Sequence, residues 1–379
     1  MDEAITFLQE LVQIDTSTSK GKEGCIANIL KRKFEAAGIT VKLIPYADQR
    51  INLVAEFGDG DTIFAFTGHE DVVNPGNLDA WKFPPFSAHI DGDKLYGRGA
   101  SDMKSGLAAM ALAFIELKQS GFNGHLRFLA TVGEEYGAAG ARQLTELGYA
   151  DDLTALLVGE PSGGGLIFGH AGSYNYQVVS HGKSVHSSIP ETGINAITKL
   201  INFAVAEQSA FNDLPKDPVI GPLVHSITIL NAGEQINTIP DIALLAGNIR
   251  PTPSFTNEQV TQRLNDIIAK INAKEPGKLE FQLIHSFYPV LTDKYGSLVT
   301  SAKKAIETVS KKEPALTIMH GATDASEFTK SKNKFETIIY GPGNEAENVS
   351  HQINEYVSLI RYQQVINEYR AIVRHYFNQ

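Results

Sequence analysis

The chain has 379 residues, 42% hydrophobic and 20% charged, a balance that allows a large core and excludes a disordered or collagen-like protein. Its formal net charge of −10 argues against a general nucleic-acid binder, whose affinity depends on neutralising phosphates. The start is unlike a secretory signal, and no apolar run approaches the ~18 residues of a membrane span, so we expect a cytoplasmic protein without a membrane or nucleic-acid partner.

The first 172 residues alternate helical and strand patterns. The predicted helices span residues 3–14, 24–37, 102–119 and 138–147, and the predicted strands span residues 39–44, 52–57, 63–67, 126–132 and 153–158. The run 63–67 is almost continuously apolar, which is typical of a buried parallel strand. Strand–helix–strand alternation predicts an α/β sheet with right-handed crossovers. The lone cysteine, Cys25, is predicted to be buried in the second helix.

The pattern changes after Gly172 and changes back near Val290. Between them we predict strands at 173–180, 224–230, 242–249 and 279–285, and helices at 194–207 and 257–271. This β-α-β-β-α-β order is ferredoxin-like. A helix at 296–309, a strand at 337–340 and a helix at 358–376 then follow. We therefore predict a discontinuous α/β catalytic domain, residues 1–172 and 287–379, with an inserted ferredoxin-like domain, residues 173–286.

Acidic residues and a histidine directly follow three of the predicted strands. His69 and Asp71 follow the strand that leads to Gly68, Glu134 and Glu135 follow the strand that leads to Gly133, and Glu160 follows Gly159. Ligands in open α/β sheets bind beyond the carboxyl ends of the strands. We therefore expect these side chains to meet at one edge of the sheet.

The residue types at this edge indicate a metal site. Histidine, aspartate and glutamate are ligands that Zn²⁺ accepts, and no cysteine cluster competes with them. Several carboxylates in one crevice would repel each other or stay protonated unless cations neutralised them. Two divalent ions would do so. Glu134 and Glu135 suit such a site because adjacent side chains differ in direction, so that one can bind metal while the other faces a water molecule.

Five segments occur in a fixed order along nearly the whole chain. They are residues 68–73 (Gly-His-Glu-Asp-Val-Val), 97–104 (Gly-Arg-Gly-Ala-Ser-Asp-Met-Lys), Glu134-Glu135, 159–162 (Gly-Glu-Pro-Ser), and His351 ahead of 354–357 (Asn-Glu-Tyr-Val). Together they resemble the co-catalytic zinc hydrolase family that includes acetylornithine deacetylase, succinyl-diaminopimelate desuccinylase, aminoacylase and carboxypeptidase G. The resemblance implies that the inserted domain is a lid and dimerisation domain.

The resemblance also implies a set of metal ligands. Asp102, in the first turn of its helix, would bridge two divalent ions. His69 and Glu160 would complete one site, and Glu135 and His351 would complete the other. Zn²⁺ is the expected ion, with Co²⁺ or Mn²⁺ as alternatives in one site.

Two further carboxylates receive roles from the same resemblance. Glu134 would be the general base that takes a proton from a water held between the metals. Asp71 would orient His69 through its other ring nitrogen, as zinc-bound histidines commonly require.

Residues of the inserted domain and a later loop match the family's substrate-binding positions. His186 matches a histidine that crosses from the partner subunit and stabilises the oxyanion. Asn237 and Arg250 match substrate contacts, and a guanidinium there would bind a carboxylate through two parallel hydrogen bonds. Gly321 and Thr323 belong to a loop that resembles one lining the family's substrate pocket.

The resemblance therefore implies a zinc-dependent amidohydrolase that removes an N-acyl group from a small carboxylate-bearing amino acid and acts as a homodimer through the inserted domain. Segment 159–162 and the chain length favour the bacterial branch of succinyl-diaminopimelate desuccinylases, with acetylornithine deacetylases as the nearest alternative. Aminopeptidase, dipeptidase and carboxypeptidase activities are further alternatives. A catalytically silent binding module is a hypothesis from another class, and the intact residue set including Glu134 argues against it. His320 rivals His351 as a ligand and receives no role.

Overall fold

The computed structural model describes residues 2–343 and 349–378. The chain divides into two compact units. The first unit comprises residues 1–169, 291–318 and 323–379, and the second comprises residues 170–290 and 319–322. The first unit is therefore discontinuous, and the second is built almost entirely from one uninterrupted stretch of chain.

Nine α-helices lie in the described part of the chain. They are α1 (Glu3–Val12), α2 (Glu23–Ala36), α3 (Lys104–Gln119), α4 (Ala139–Glu146), α5 (Ala196–Gln208), α6 (Asn257–Lys274), α7 (Ser297–Ser310), α8 (Ala325–Phe328) and α9 (Leu359–Tyr376). No helix within residues 2–343 and 349–378 combines the length and hydropathy needed to cross a bilayer.

The same residues form eighteen strands. They are β1 (Thr40–Ala47), β2 (Arg50–Phe57), β3 (Ile63–His69), β4 (His89–Asp91), β5 (Lys94–Tyr96), β6 (His125–Thr131), β7 (Ala155–Val158), β8 (Leu166–His170), β9 (Ser173–His181), β10 (Val185–His186), β11 (Val224–Ala232), β12 (Thr238–Ile239), β13 (Ile242–Arg250), β14 (Lys278–Phe287), β15 (Val290–Leu291), β16 (Leu316–Met319), β17 (Glu336–Ile339) and β18 (Tyr356–Ser358).

A nine-stranded sheet forms the centre of the first unit, in the order β1-β2-β6-β3-β7-β17-β8-β15, with β16 beside β8. The four central strands β6, β3, β7 and β17 are parallel. Every residue of β3 is buried, which confirms the predicted buried parallel strand. His69 pairs with Thr131, and Thr67 pairs with Val158, so these strands end together at one edge of the sheet.

Helix α3 packs closely against that edge. A Cβ atom added to Gly106 would lie 1.9 Å from the carbonyl oxygen of Gly159, so only glycine allows this approach. The helix begins at Lys104, so Asp102 precedes it instead of lying in its first turn as predicted. Cys25 is also placed differently from its prediction: it is exposed, because it lies on the outward face of α2 while Ile26 and Leu30 are buried.

The second unit is built on an antiparallel sheet of order β11-β13-β9-β14. Alternate residues of β9, including Tyr174, Tyr176 and Val178, pack in one core with side chains of α5 and α6. This agrees with the predicted β-α-β-β-α-β order. A small two-stranded sheet, β10 with β12, was not predicted, because two-residue strands carry too little pattern to detect.

Candidate metal centre

Seven of the predicted site residues lie together in the first unit, beyond the carboxyl ends of the central strands. They are His69 at the end of β3, Asp71 just after it, Asp102 just before α3, Glu134 and Glu135 after β6, Glu160 after β7, and His351 ahead of β18. Residues separated by up to about 280 positions in the sequence thus converge because parallel strands end at a common edge.

One ring nitrogen of His69 is fixed as a hydrogen-bond donor by its neighbour. Its Nδ1 lies 2.8 Å from the carbonyl oxygen of Asp71, which can only accept a hydrogen bond, so Nδ1 carries a proton. The other ring nitrogen, Nε2, lies 3.2 Å from Oδ1 of Asp102 and 3.5 Å from Oε1 of Glu160. A ring nitrogen that faces two carboxylate oxygens needs a proton or a metal ion between it and those oxygens.

His351 faces the opposite side of Asp102. Its Nε2 lies 3.2 Å from Oδ2 of Asp102 and 2.9 Å from Oε1 of Glu135. Each carboxylate oxygen of Asp102 therefore points to a different histidine, which suits a carboxylate shared between two cations. His69 is almost fully buried, whereas the side chain of His351 is 47% exposed, so the cluster opens to solvent on the His351 side.

The electrostatics of the cluster also favour bound cations. Burial raises the pKa of Glu134 and of Glu160 well above the usual range, and neighbouring carboxylates add to the effect. Burial alone would lower the pKa of His69, but the negative charges of Glu160, Asp102 and Asp71 outweigh it and raise that pKa well above its ordinary value.

Hydrogen bonds with Asp102 and Glu135 raise the pKa of His351 to about 10. Without metal, protons must therefore compensate the negative charges, whereas divalent ions would neutralise them directly. Among the described residues, two groups have ligand atoms within 4.8 Å of one another: His69, Asp102 and Glu135, and His69, Glu134 and Glu160. The donor set therefore fits a metal centre.

Asp71 makes different contacts from those predicted. Its carboxylate lies 3.6 Å from Nδ1 of His69, and its backbone carbonyl orients the ring instead. The carboxylate oxygens accept the backbone N–H groups of Glu134, at 3.1 Å, and Glu135, at 3.3 Å. Gly133, in the left-handed conformation at φ 69°, begins the turn that carries these two amides. Asp71 therefore holds the backbone of the turn that presents the acidic pair.

Two buried carboxylates near the cluster, Glu355 and Asp324, have no predicted role. Glu355 accepts the backbone N–H groups of Ser101, at 2.8 Å, and Asp102, at 3.0 Å. Both residues precede α3, so Glu355 supplies their N–H groups with an acceptor that the helix does not provide. Asp324 bonds the hydroxyl of Thr131 at 2.5 Å, and burial raises its pKa to about 7. Both acids belong to segments that the sequence singled out, but only their burial distinguishes them from surface charges.

The remaining predicted residues lie elsewhere in the chain. In the second unit, His186 on β10 and Asn237 are exposed and adjacent, since the N–H of Ser187 donates to the carbonyl of Asn237 at 2.9 Å. Arg250 is half-buried at the end of β13, and Gly321 also belongs to that unit. Thr323 is buried in the first unit. Their roles in substrate binding stay predictions. His320 is exposed in the second unit.

Comparison with known proteins places this geometry among hydrolases. A family model described as peptidase family M20/M25/M40 matches residues 65–375. A probable succinyl-diaminopimelate desuccinylase of Staphylococcus aureus (strain MRSA252) is 34% identical, with 100% of this chain and 98% of the relative covered.

Two solved structures share the fold at low sequence identity. The M20 family metallo-carboxypeptidase Sso-CP2 of Sulfolobus solfataricus is 19% identical, with a TM-score of 0.83 and all of both chains covered. The YXEP protein of Bacillus subtilis, described as a dinuclear metal-binding peptidase of the M20 family, is also 19% identical, with a TM-score of 0.73 and 98% of this chain and 96% of that chain covered. These similarities confirm the predicted α/β fold of a metallohydrolase.

Proposed function

We propose, since this chain belongs to the peptidase family M20/M25/M40, that it is a dinuclear metallohydrolase that removes the succinyl group from N-succinyl-diaminopimelate. The observation that carries the proposal is Asp102, whose two carboxylate oxygens each lie 3.2 Å from a different histidine, His69 and His351. The choice of acyl group is supported by the full-length desuccinylase relative from Staphylococcus aureus.

The residues divide into two overlapping ligand sets. Asp102 would be shared, with His69 and Glu160 completing one set, and Glu135 and His351 completing the other. Imidazole nitrogens and carboxylate oxygens without thiolates suit Zn²⁺, which we infer to be the natural ion, with Co²⁺ or Mn²⁺ as substitutes in one site. When bound, such ions polarise an amide carbonyl and lower the pKa of water.

Glu134 performs the proton transfers. Its backbone is fixed by Asp71, which leaves the side chain to accept a proton from the attacking water and to deliver it to the departing nitrogen. A C–O bond forms at the acyl carbon and the amide C–N bond breaks, so the products are succinate and the free amine. The hydrogen bond from His69 Nδ1 to the Asp71 carbonyl orients the ring so that Nε2 faces Asp102 and Glu160 and would be the metal-binding nitrogen.

The second unit would supply the groups that recognise substrate. Nδ1 of His186 lies 2.8 Å from the hydroxyl of Ser188 and 3.2 Å from its backbone nitrogen, which leaves the exposed Nε2 to donate to an oxyanion. Arg250 and Asn237 would bind the substrate carboxylate. Gly321 and Thr323 would line the pocket.

A homodimer through the second unit would bring His186 to the partner's metal centre. Strand β11 is an edge of its sheet and exposes apolar side chains, with Ile229 at 49% and Leu230 at 60%. An exposed apolar edge strand is a ready surface for pairing with a second copy, and symmetric dimers are the commonest oligomers.

A substrate panel tests the proposed activity. The purified chain, loaded with Zn²⁺, is assayed for amine release from N-succinyl-diaminopimelate, N-acetylornithine and a set of di- and tripeptides. We expect kcat/KM for the succinylated substrate to exceed that of every other compound at least about 10-fold. Cleavage of peptides without release of amine from either acylated substrate would favour a peptidase. Two bound metal ions without any hydrolysis would favour a binding module.

A further inference from the structure

A buried ion pair connects the two chain segments that carry Asp102 and His351. Arg98 is 2% exposed and Glu355 is fully buried, and Nη1 of Arg98 forms a very short ion pair with Oε2 of Glu355. Burying two charges is costly unless both are paired and hydrogen-bonded. Here Oε1 of Glu355 and Nη2 of Arg98 bond the backbone of the segments that carry Asp102 and His351, while Nε of Arg98 has no hydrogen-bond partner among the described residues.

The Glu355 end of the pair holds the segment that precedes α3. Its Oε1 accepts the N–H groups of Ser101 and Asp102 at 2.8 and 3.0 Å. The backbone carbonyl of Glu355 also accepts the N–H of Gly97 at 2.9 Å. One acidic residue thus positions the backbone of Asp102 from a segment about 250 residues away in the sequence.

The Arg98 end of the pair holds the loop of His351. Nη2 of Arg98 donates to the carbonyl oxygen of His351 at 3.3 Å. His351 has φ of 63°, a left-handed conformation that non-glycine residues adopt at an energetic cost, so an external contact is needed to maintain it. The ring of Trp81 packs over the Arg98 guanidinium, with its centroid 5.3 Å from Cζ, and helps to keep that group in place.

We propose that Arg98 and Glu355 form a clamp that positions Asp102 and His351 as one unit and so determines the affinity of the second metal site. This inference rests on the proposed function and extends it to two residues that touch neither substrate nor metal. His69 is held separately by the Asp71 carbonyl, and Glu160 follows β7 directly. Loss of the clamp should therefore weaken the site of Asp102, Glu135 and His351 more than the site of His69 and Glu160.

Two substitutions break the clamp in different ways. In Glu355→Gln, the single amide oxygen cannot serve both the two backbone N–H groups and Arg98, so the connection between the segments is lost. In Arg98→Lys, the positive charge beside Glu355 remains, but an ammonium group lacks the planar fork that also reaches the His351 carbonyl. Arg98→Lys leaves no unpaired charge, so it covers the case in which Glu355→Gln does not fold.

Glu368→Gln is a matched control. Glu368 is also fully buried, and its Oε2 bonds Arg361 at 2.7 Å and the Tyr340 hydroxyl at 2.9 Å, away from the backbone of the proposed ligands. The substitution therefore removes a pair whose glutamate is as buried as Glu355 and whose arginine is 21% exposed, without touching the segments that the clamp joins.

The test measures metal binding directly. Folded wild type and variants are titrated with Zn²⁺ against a competing chelator, and the absorption spectrum is followed during stepwise Co²⁺ loading. We expect Glu368→Gln to bind two ions, each with the same affinity as in wild type. In both clamp variants the second ion should bind about 10- to 100-fold more weakly than in wild type, and the first ion, which shares Asp102, should lose much less affinity.

The number of ions that wild type binds and the affinities of the variants distinguish failure of the clamp from failure of the proposed function. If wild type binds two ions and the folded clamp variants bind both as tightly, the clamp is refuted while the proposed function stands. The clamp is also refuted if Glu368→Gln weakens the second ion equally, since the effect would then be general. A wild type that binds fewer than two ions overturns the proposed function and the clamp together.

Discussion

Replacing Asp71 by asparagine should reduce turnover by acting through the proposed general base. Asp71 is fully buried, and its two oxygens accept the N–H groups of Glu134 and Glu135 at 3.1 and 3.3 Å. Asparagine has nearly the same shape but only one acceptor oxygen, and its NH₂ group would face the second N–H. The turn after Gly133 would then lose one bond and gain a donor–donor contact.

The expected magnitude follows from these contacts. A hydrogen bond to a buried charged acceptor contributes about 1.5–3 kcal/mol, and about 2 kcal/mol corresponds to roughly 30-fold in rate. We therefore expect Asp71→Asn to lower kcat about 10- to 100-fold at saturating Zn²⁺. Glu134→Gln should lower kcat about 10²- to 10⁴-fold, the usual range for a general base, while metal is retained.

A double-mutant cycle distinguishes the two roles of Asp71. If its carboxylate acts by holding Glu134, Asp71→Asn should change kcat less than about 3-fold when Glu134 is already glutamine, because residues acting as a unit are not additive. Steady-state kinetics of the four proteins measure this coupling. The same loss in both backgrounds would refute the reasoning and would indicate that the carboxylate acts through His69.

Three further expectations concern pH, packing and assembly. Burial lowers the pKa of His170 to about 4 in the folded chain, whereas the unfolded chain has the ordinary value of about 6.5. Because only the unfolded chain takes up this proton between these values, the folded chain loses stability as the pH falls from about 6.5 to about 4. Urea unfolding measures this at pH 7.5 and pH 5. Between these two pH values the free energy of unfolding of wild type should fall by about 2 kcal/mol more than that of His170→Gln, and equal decreases would contradict the expectation. Gly106→Ala should lower the free energy of unfolding by about 1–3 kcal/mol or more and reduce the metal content, because the new methyl group meets the Gly159 carbonyl. An unchanged Tm and an unchanged metal content would show that α3 can shift freely. If His186 crosses between subunits, mixing inactive His186→Ala and Glu134→Gln chains under subunit exchange should restore about a quarter of wild-type activity, since half of the dimers then hold one intact site. A mixture that stays inactive while exchange is demonstrated would place His186 in its own subunit's site.

The parts of the fold that could be predicted are those with local signals. Strand β3 is an apolar run that ends in glycine and a polar residue, a pattern readable within about ten positions. Helix α9 was predicted at residues 358–376 and observed at Leu359–Tyr376, because Ser358 caps it by accepting the N–H of Arg361 at 3.1 Å. Parallel pairing then followed from strand–helix alternation, and with it the common edge on which the metal centre lies.

The parts that could not be predicted depend on distant partners. Strand β18 has three residues and pairs with β5 about 260 positions earlier, so neither strand carries enough pattern to be recognised alone. The role of Glu355 has the same origin, since its partners lie about 250 positions away. For Asp71 the residue was identified correctly, but whether its carbonyl or its carboxylate reaches His69 depends on the path of two loop residues, which a motif does not encode.

The discontinuity of the first unit has a consequence for how the protein is made on the ribosome. About 190 residues separate Glu160 from His351, which at about 5–20 residues per second is roughly 10–40 s of synthesis. The second unit, almost contiguous in sequence, can fold during that interval. Strand β7 must meanwhile wait for β17, its neighbour in the finished sheet, with an apolar edge unpaired. With the proposed ligand set, complete metal loading would have to wait until His351 has been synthesised. A nascent chain stalled before residue 336 would present an aggregation-prone edge to chaperones.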